Sequence, residues 1–278
     1  MKFSFSKWHG LGNDFVIVNG LMGQFNDYPQ MAIEICDRHL GIGADGLVFL
    51  LPSEIADFQM RIFNSDGSEA EMCGNVTRCM ARYVYEYGLT DRAKITLETK
   101  AGIIKPELIF IDGVLSTIRV DMGEPRLKPS EIPMIVSERD QVVHEVLVVE
   151  GIEYHITCVS MGNPHCIVFV DDINEVDLSV IGPKIETHPA FPRKINVEFV
   201  QVLNRQKVRM RVWERGAGIT MACGTGACAT LVAGVLNDKV DRQAIVELDG
   251  GELLIEWGLD RHVYMSGPAT EVFRGEYL

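Results

Sequence analysis

Cys73-Gly74-Asn75-Val76-Thr77-Arg78-Cys79 and Cys223-Gly224-Thr225-Gly226-Ala227-Cys228 stand 150 positions apart, and each opens a helical pattern. From Gly74 to Tyr87 the apolar residues Val76, Met80, Val84 and Tyr87 recur three or four positions apart, with Gly88 placed to end the helix. From Gly224 to Leu236 no residue is charged, the pattern of a helix buried on every side. The same offset of 150 relates Gly12-Asn13 to Gly162-Asn163 and Met60-Arg61-Ile62-Phe63 to Met210-Arg211-Val212-Trp213. It also relates Leu47–Leu50 to Val197–Val200, and Ile95 to Ile245. Several ordered matches at one offset indicate an internal duplication.

Working outward, most of the remaining chain reads as strand. Aliphatic and β-branched runs at Phe15–Val18, Leu47–Leu51, Met60–Phe63, Ile95–Thr99, Ile103–Asp112 and Thr117–Met122 are separated by Gly, Pro, Asn or Asp. Further runs are Val146–Val149, Ile167–Val170, Val197–Val202, Val208–Trp213, Ile245–Leu248 and Leu253–Trp257. The expected class is α+β. Two similar lobes from the duplication each wrap a curved, mainly antiparallel half-barrel sheet around a central helix, with an active site in the cleft between them. The expected division is residues 1–122 plus 268–278, and residues 123–267, each large enough for its own core.

Composition narrows the function. The 278 residues are 47% hydrophobic and 23% charged, with a formal net charge of −13, so disorder and nucleic-acid or anionic-membrane binding are disfavoured. The opening stretch has no apolar signal-like core, and the longest neutral run, near Ala227–Leu236, is too short to span a bilayer. The expectation is a cytoplasmic protein. Seven cysteines without a C-x-x-C pair suit reduced thiols, and neither they nor the seven histidines show metal spacing. Gly41-Ile42-Gly43-Ala44-Asp45-Gly46 matches a dinucleotide fingerprint in letters, but a strand follows it where a helix is required. It reads instead as a turn between a helix near Pro29–His39 and that strand.

A thiol at a helix start meets free backbone N–H groups and the positive end of the helix dipole. Cys73 and Cys223 related by a pseudo-twofold axis would flank one small gap. Inverting a carbon centre without a cofactor needs a proton removed from one face and returned to the other, which two thiols can do. The backbone N–H groups at Gly74-Asn75 and Gly224-Thr225 could hold a carboxylate and stabilise the developing carbanion. The expected class is an amino-acid racemase or epimerase. A thiol redox sensor and a small-molecule binding protein are the other readings.

Five stretches carry a resemblance: Lys7–Val18, Gly41–Gly46, Phe63–Asn75, Gly162–Val170 and Trp213–Ala229. Together they closely resemble the diaminopimelate epimerase family. The resemblance implies cofactor-independent interconversion of LL- and meso-2,6-diaminopimelate for lysine and peptidoglycan synthesis, with Cys73 and Cys223 as the acid–base pair. It implies that Asn13, Asn64, Asn163 and Asn196 bind the substrate's ammonium and carboxylate groups. Arg215 would pair with the distal carboxylate and Glu214 with an ammonium group, while His165 and Glu214 tune the thiols. It implies no metal, and a homodimer in which Phe273 stands where some members carry Tyr. The family's usual Cys-Gly-Asn-Gly reads Cys-Gly-Asn-Val here, which would narrow the pocket beside Cys73, and Gly46 stands where many members carry Gln. A racemase for another amino acid of the same superfamily is the alternative.

Overall fold

The structure is a computed structural model that describes residues 2–23, 25–136 and 139–278. It divides into two compact units, Met1–Asp121 with Ser266–Leu278, and Met122–Met265. In the first unit the chain runs β1 (Phe3–Gly10), β2 (Asn13–Asn19), α1 (Tyr28–Cys36), β3 (Gly46–Leu51), β4 (Phe58–Asn64) and a short β5 (Glu69–Ala70). Then follow α2 (Gly74–Glu86), β6 (Leu97–Thr99), β7 (Gly102–Ile104), β8 (Glu107–Ile111) and β9 (Val114–Asp121). The second unit holds β10 (Glu145–Val149), β11 (Ile152–Ser160), β12 (Pro164–Val170), α3 (Leu178–Glu186), β13 (Asn196–Asn204), β14 (Lys207–Glu214) and β15 (Gly218–Thr220). It continues with α4 (Gly224–Leu236), β16 (Gln243–Leu248), β17 (Gly251–Trp257) and β18 (Val263–Gly267). The last strand, β19 (Thr270–Tyr277), pairs antiparallel with β1 and begins the strand order β19-β1-β2-β3-β4-β6-β7.

The duplication extends to single-residue register. Phe15 pairs with Gly46 in parallel and His165 pairs with Asn196 in parallel, 150 positions on. Leu50↔Met60 recurs as Val200↔Met210, and Ile62↔Ala70 as Val212↔Thr220. The helices Gly74–Glu86 and Gly224–Leu236 coincide at both ends under the same shift. Where the repeats diverge, the difference is local: Gly10 pairs with Asn13 across the first turn, but Ser160 pairs with Pro164, one residue later. Each sheet is mainly antiparallel, with parallel steps where the connection carries a helix, at β2–β3 and β4–β6, and at β12–β13 and β14–β16.

The two central helices differ in how they are buried. On α2 the side chains of Val76, Cys79, Met80, Ala81 and Val84 are fully buried, and the helix packs on β1, β2, β8 and β9. Burying each of the larger ones stabilises by roughly 1.5–3 kcal/mol before entropy is counted. Its end closes at Gly88, with Leu89 N–H donating to the Val84 carbonyl at 2.9 Å. On α4 every residue from Gly226 to Gly234 is buried, and strands β11, β12, β13, β14, β16 and β17 all touch it. That enclosure is why no charged residue fits there.

Two expectations of local structure are corrected, and one helix is additional to them. The run Ile103–Asp112 is two strands, β7 and β8, because Pro106 has no N–H to give a ladder. The early helix ends at Cys36, because Asp37 turns to extended backbone and its carboxylate accepts from His39 N and Leu40 N, both at 2.7 Å. Helix α3, with Pro183 inside it, carries no strong period and escapes pattern reading. Among the described residues no helix is long and apolar enough to cross a membrane.

Candidate active site

In the first unit Cys73 is the residue immediately before α2, in extended backbone with φ −146° and ψ 121°, so its side chain sits at the helix start. The Cys73 thiol donates toward Asn13 Oδ1 at 4.0 Å. That oxygen also accepts from Asn75 Nδ2 at 3.0 Å, and Asn75 Oδ1 accepts from Arg78 Nη2 at 2.9 Å. The other end of Asn13 donates to Asp45 Oδ2 at 2.7 Å. Asp45 comes from the glycine-rich turn Gly41–Gly46, which thus serves to orient Asn13. Behind it, Arg38 bridges Asp14 and Asp45 at 2.8 Å each, and Lys7 reaches Asp14 at 2.7 Å and the Gly43 carbonyl. Burial alone would raise the Asp14 carboxyl, but hydrogen bonds from Arg38 and Lys7 outweigh it and hold the group far below the usual carboxylate range.

Cys223 occupies the matching position before α4 and is buried. Its Sγ lies 3.5 Å from Thr225 Oγ1, which accepts from Asn163 Nδ2 at 3.1 Å. Asn163 Oδ1 faces His165 Nε2 at 3.0 Å, and His165 Nδ1 faces Glu198 Oε1 at 2.6 Å. His165 and Glu198 are completely buried. Burial raises the Glu198 carboxyl, with His165 opposing and Glu214 adding to the rise. Burial, then Glu214 and Glu198, push the Cys223 thiol well above its ordinary value, against hydrogen bonds from Thr225 and the Gly226 N–H.

Asn196, Glu214 and Arg215 form a second group in this unit. Asn196 Nδ2 donates to the Pro164 carbonyl at 2.9 Å, and its Oδ1 accepts from Arg215 N–H at 2.8 Å. Arg215 is exposed, with Nη1 on the Arg193 carbonyl at 3.0 Å. Thr220 donates to Glu214 through a short contact. Asn64 is exposed, pairs across the ladder with Gly46, and donates to Ser68 Oγ at 3.0 Å rather than to Asn13 or Asn75. Gly74 and Asn75 are buried, while Gly224 and Thr225 are half-buried, so the start of α4 is the more open.

The two departures from the family pattern have packing reasons. Val76 is fully buried within the core face of α2, so it fills core space and does not line an open pocket. At the matching Gly226, a Cβ would come within 2.7 Å of Glu198 Oε1 and 3.3 Å of Cys223 Sγ, so a side chain there would displace the buried carboxyl. At Gly46 a Cβ would lie 2.9 Å from the Phe63 carbonyl, so the strand pair leaves no room for a longer side chain.

Reading the sequence did not find Glu198, Asp45, Asp14, Lys7, Arg38 or Arg78. One signal for Glu198 was present: a lone charge inside Ile195–Val200, a run in which every residue is buried. Cys223, His165 and Glu198 offer ligand atoms within 4.8 Å of one another, the one such group among the described residues. The imidazole and carboxyl already bond to each other there, so a metal would have to part them.

The fold is shared with solved structures of low sequence identity. A hydroxyproline epimerase from Agrobacterium vitis superposes with a TM-score of 0.64 at 16% identity, covering 99% of this chain and 91% of that one. A PhzF-family phenazine biosynthesis protein from Bacillus anthracis superposes at 0.74 with 19% identity, covering 100% and 99%. At such identities the likeness is one of fold alone, the class of duplicated α+β architecture described above. The sequence decides the family. The family model described as diaminopimelate epimerase matches residues 5–128 and 157–272, and the chain belongs to that family. The diaminopimelate epimerase of Pelotomaculum thermopropionicum is 58% identical over 275 residues, covering 98% of each chain. That of Methanococcus maripaludis is 52% identical over 273 residues, again covering 98% of each.

Proposed function

We propose that this protein interconverts LL- and meso-2,6-diaminopimelate without a cofactor, using Cys73 and Cys223 as a two-base pair. The observation that carries the reading is the placement of a thiol at the same repeat position in each unit, directly before a buried helix. One cysteine acts as thiolate: its sulfur takes the α-proton, the C–H bond breaks and its electron pair stays on carbon. The other thiol gives its proton to the opposite face, forming the new C–H bond and becoming thiolate. Reversing direction exchanges the roles.

The carbanion is stabilised by the α-carboxylate, which the N–H groups of Gly74-Asn75 and Gly224-Thr225 hold at two helix starts. Asn13, Asn64, Asn163 and Asn196 supply amide contacts to the polar ends of the substrate. Glu214 takes an ammonium group, and that cation offsets the carboxylate field that raises the Cys223 thiol. Arg215, exposed and close to Asn196, takes the distal carboxylate with its guanidinium fork. The enzyme works in the cytoplasm, where the thiols stay reduced. It functions as a homodimer, a reading supported by β19 ending the strand order with Phe273 half-exposed upon it.

The test is solvent-deuterium incorporation at the α-carbon of each stereoisomer by the purified protein under reducing conditions. Deuterium in both isomers is expected. Turnover of lysine, proline or histidine with none of diaminopimelate would displace this substrate.

A further inference from the structure

We infer that Glu198 is a positioning residue for Cys223, acting through a one-way chain of hydrogen bonds, His165 to Asn163 to Thr225 to sulfur, that the other repeat lacks. The inference rests on the two-thiol epimerase reading and deepens it. The direction of the chain follows from which atoms can donate. Asn163 gives its amide hydrogen to Thr225 Oγ1 at 3.1 Å, so the atom facing His165 is its oxygen, an acceptor only. His165 Nε2 therefore carries a hydrogen. Its Nδ1, 2.6 Å from Glu198 Oε1, shares a single proton with that carboxyl. Thr225, accepting from Asn163 on one lone pair, has its own hydrogen available for Cys223 Sγ, 3.5 Å away, when the sulfur is a thiolate and can only accept. A donor delivered to sulfur favours the thiolate.

The first unit is built the other way at the same register. Phe15 stands where His165 does and Val48 where Glu198 does, since the pairs Phe15↔Gly46 and Ile17↔Val48 repeat as His165↔Asn196 and Ile167↔Glu198. Asn75 takes the place of Thr225 and donates to Asn13 Oδ1, the acceptor that also faces the Cys73 thiol. One sulfur meets a donor chain and the other meets an amide oxygen.

Packing does not explain the polar pair. Glu198 Oε2 is buried with no hydrogen-bond partner among the described residues, an arrangement that costs stability. Apolar residues at both positions are compatible with this fold, as Phe15 and Val48 show, and such replacements of a buried polar pair are often neutral or stabilising. The ionisable groups facing this region are Glu198 on β13, His165 and Cys166 on β12, Glu214 on β14, and Cys223 itself before α4.

The test compares the parent with the doubly substituted His165→Phe/Glu198→Val enzyme and with Glu198→Gln. Thermal unfolding, the kcat and KM for diaminopimelate, and the pH profile of iodoacetamide alkylation at Cys223, read by peptide mass spectrometry, are measured on each. The double variant is expected to melt at or above the parent temperature. Its kcat should fall by roughly tenfold or more with little change in KM, and its Cys223 profile should move up by about one pH unit, the lost donor to sulfur outweighing the lost Glu198 charge, which alone would move it down. Glu198→Gln, of equal volume, can still donate to His165 Nδ1 and keeps the chain while removing the charge, so its profile should move down, and an upward move would count against the chain. A folded double variant with the parent's kcat and profile overturns the inference, as does a loss of kcat with an unmoved profile. If the double variant does not fold, a parent-like profile in Glu198→Gln overturns it. The epimerase reading fails separately, if the parent exchanges no α-deuterium.

Discussion

Lys7 Nζ lies 2.7 Å from Asp14 Oδ2, and the lysine side chain is only 8% exposed. This pair ties β1 to β2 directly behind Asn13, and Arg38 extends it to Asp45, the residue that orients the Asn13 amide. The acceptor beside Cys73 thus stands on a charge network anchored in β1, β2 and the Gly41–Gly46 turn.

Asp14→Asn is therefore expected to cost about 2 kcal/mol at neutral pH, because Lys7 stays buried without its carboxylate. The folded-state value of Asp14 lies below its unfolded one, so its contribution is complete above about pH 4 and is lost as pH falls below that. Denaturant unfolding of parent and variant at pH 7 and pH 3 measures this. A gap that widened at pH 3 would contradict the assignment.

Replacing either Cys73 or Cys223 by Ala should reduce epimerisation by at least roughly a hundredfold, since each face of the carbon loses its proton carrier. Cys→Ser at either site should be nearly as damaging, because a hydroxyl ionises far less readily than a thiol. Optical rotation or chiral chromatography of the product follows the rate. Parent-rate turnover by Cys223→Ala would end the two-base scheme.

Arg215→Met should raise KM for diaminopimelate by roughly tenfold or more while leaving kcat within a few-fold, the pattern of a lost contact to a non-reacting group. Steady-state kinetics with the LL isomer reads this. An equal fall in kcat with unchanged KM would place Arg215 in the chemical step instead.

Gly46→Ala should destabilise the first unit by about 1–3 kcal/mol, because the added methyl meets the Phe63 carbonyl at 2.9 Å and backbone cannot move aside as a side chain can. Thermal unfolding checks it. An unchanged melting temperature would mean that β3 and β4 separate freely at this pair.

Much of this was open to a reader of the chain. Residues recurring at one offset disclosed two related halves, and uncharged Gly224–Leu236 disclosed a helix enclosed by strands. The cysteines before each helix could be singled out because helix starts have a local chemical meaning. Helix α3 and the split at Pro106 were less legible, since one has no clear period and the other lies in an apolar run that looks continuous. Glu198 was visible only as a misplaced charge.

What the sequence determined by itself was whatever depends on neighbours along the chain: the periodicity, the repeat, the two helix starts and the thiols at them. Tertiary structure alone decided that His165 meets Glu198, 33 positions away, at 2.6 Å, and that Thr225 Oγ1 lies 3.5 Å from Cys223 Sγ. The reason is physical. Hydrogen-bond direction and burial depend on which strands pair and in what register, and a shift of one residue would turn each of these side chains to the other face of its sheet.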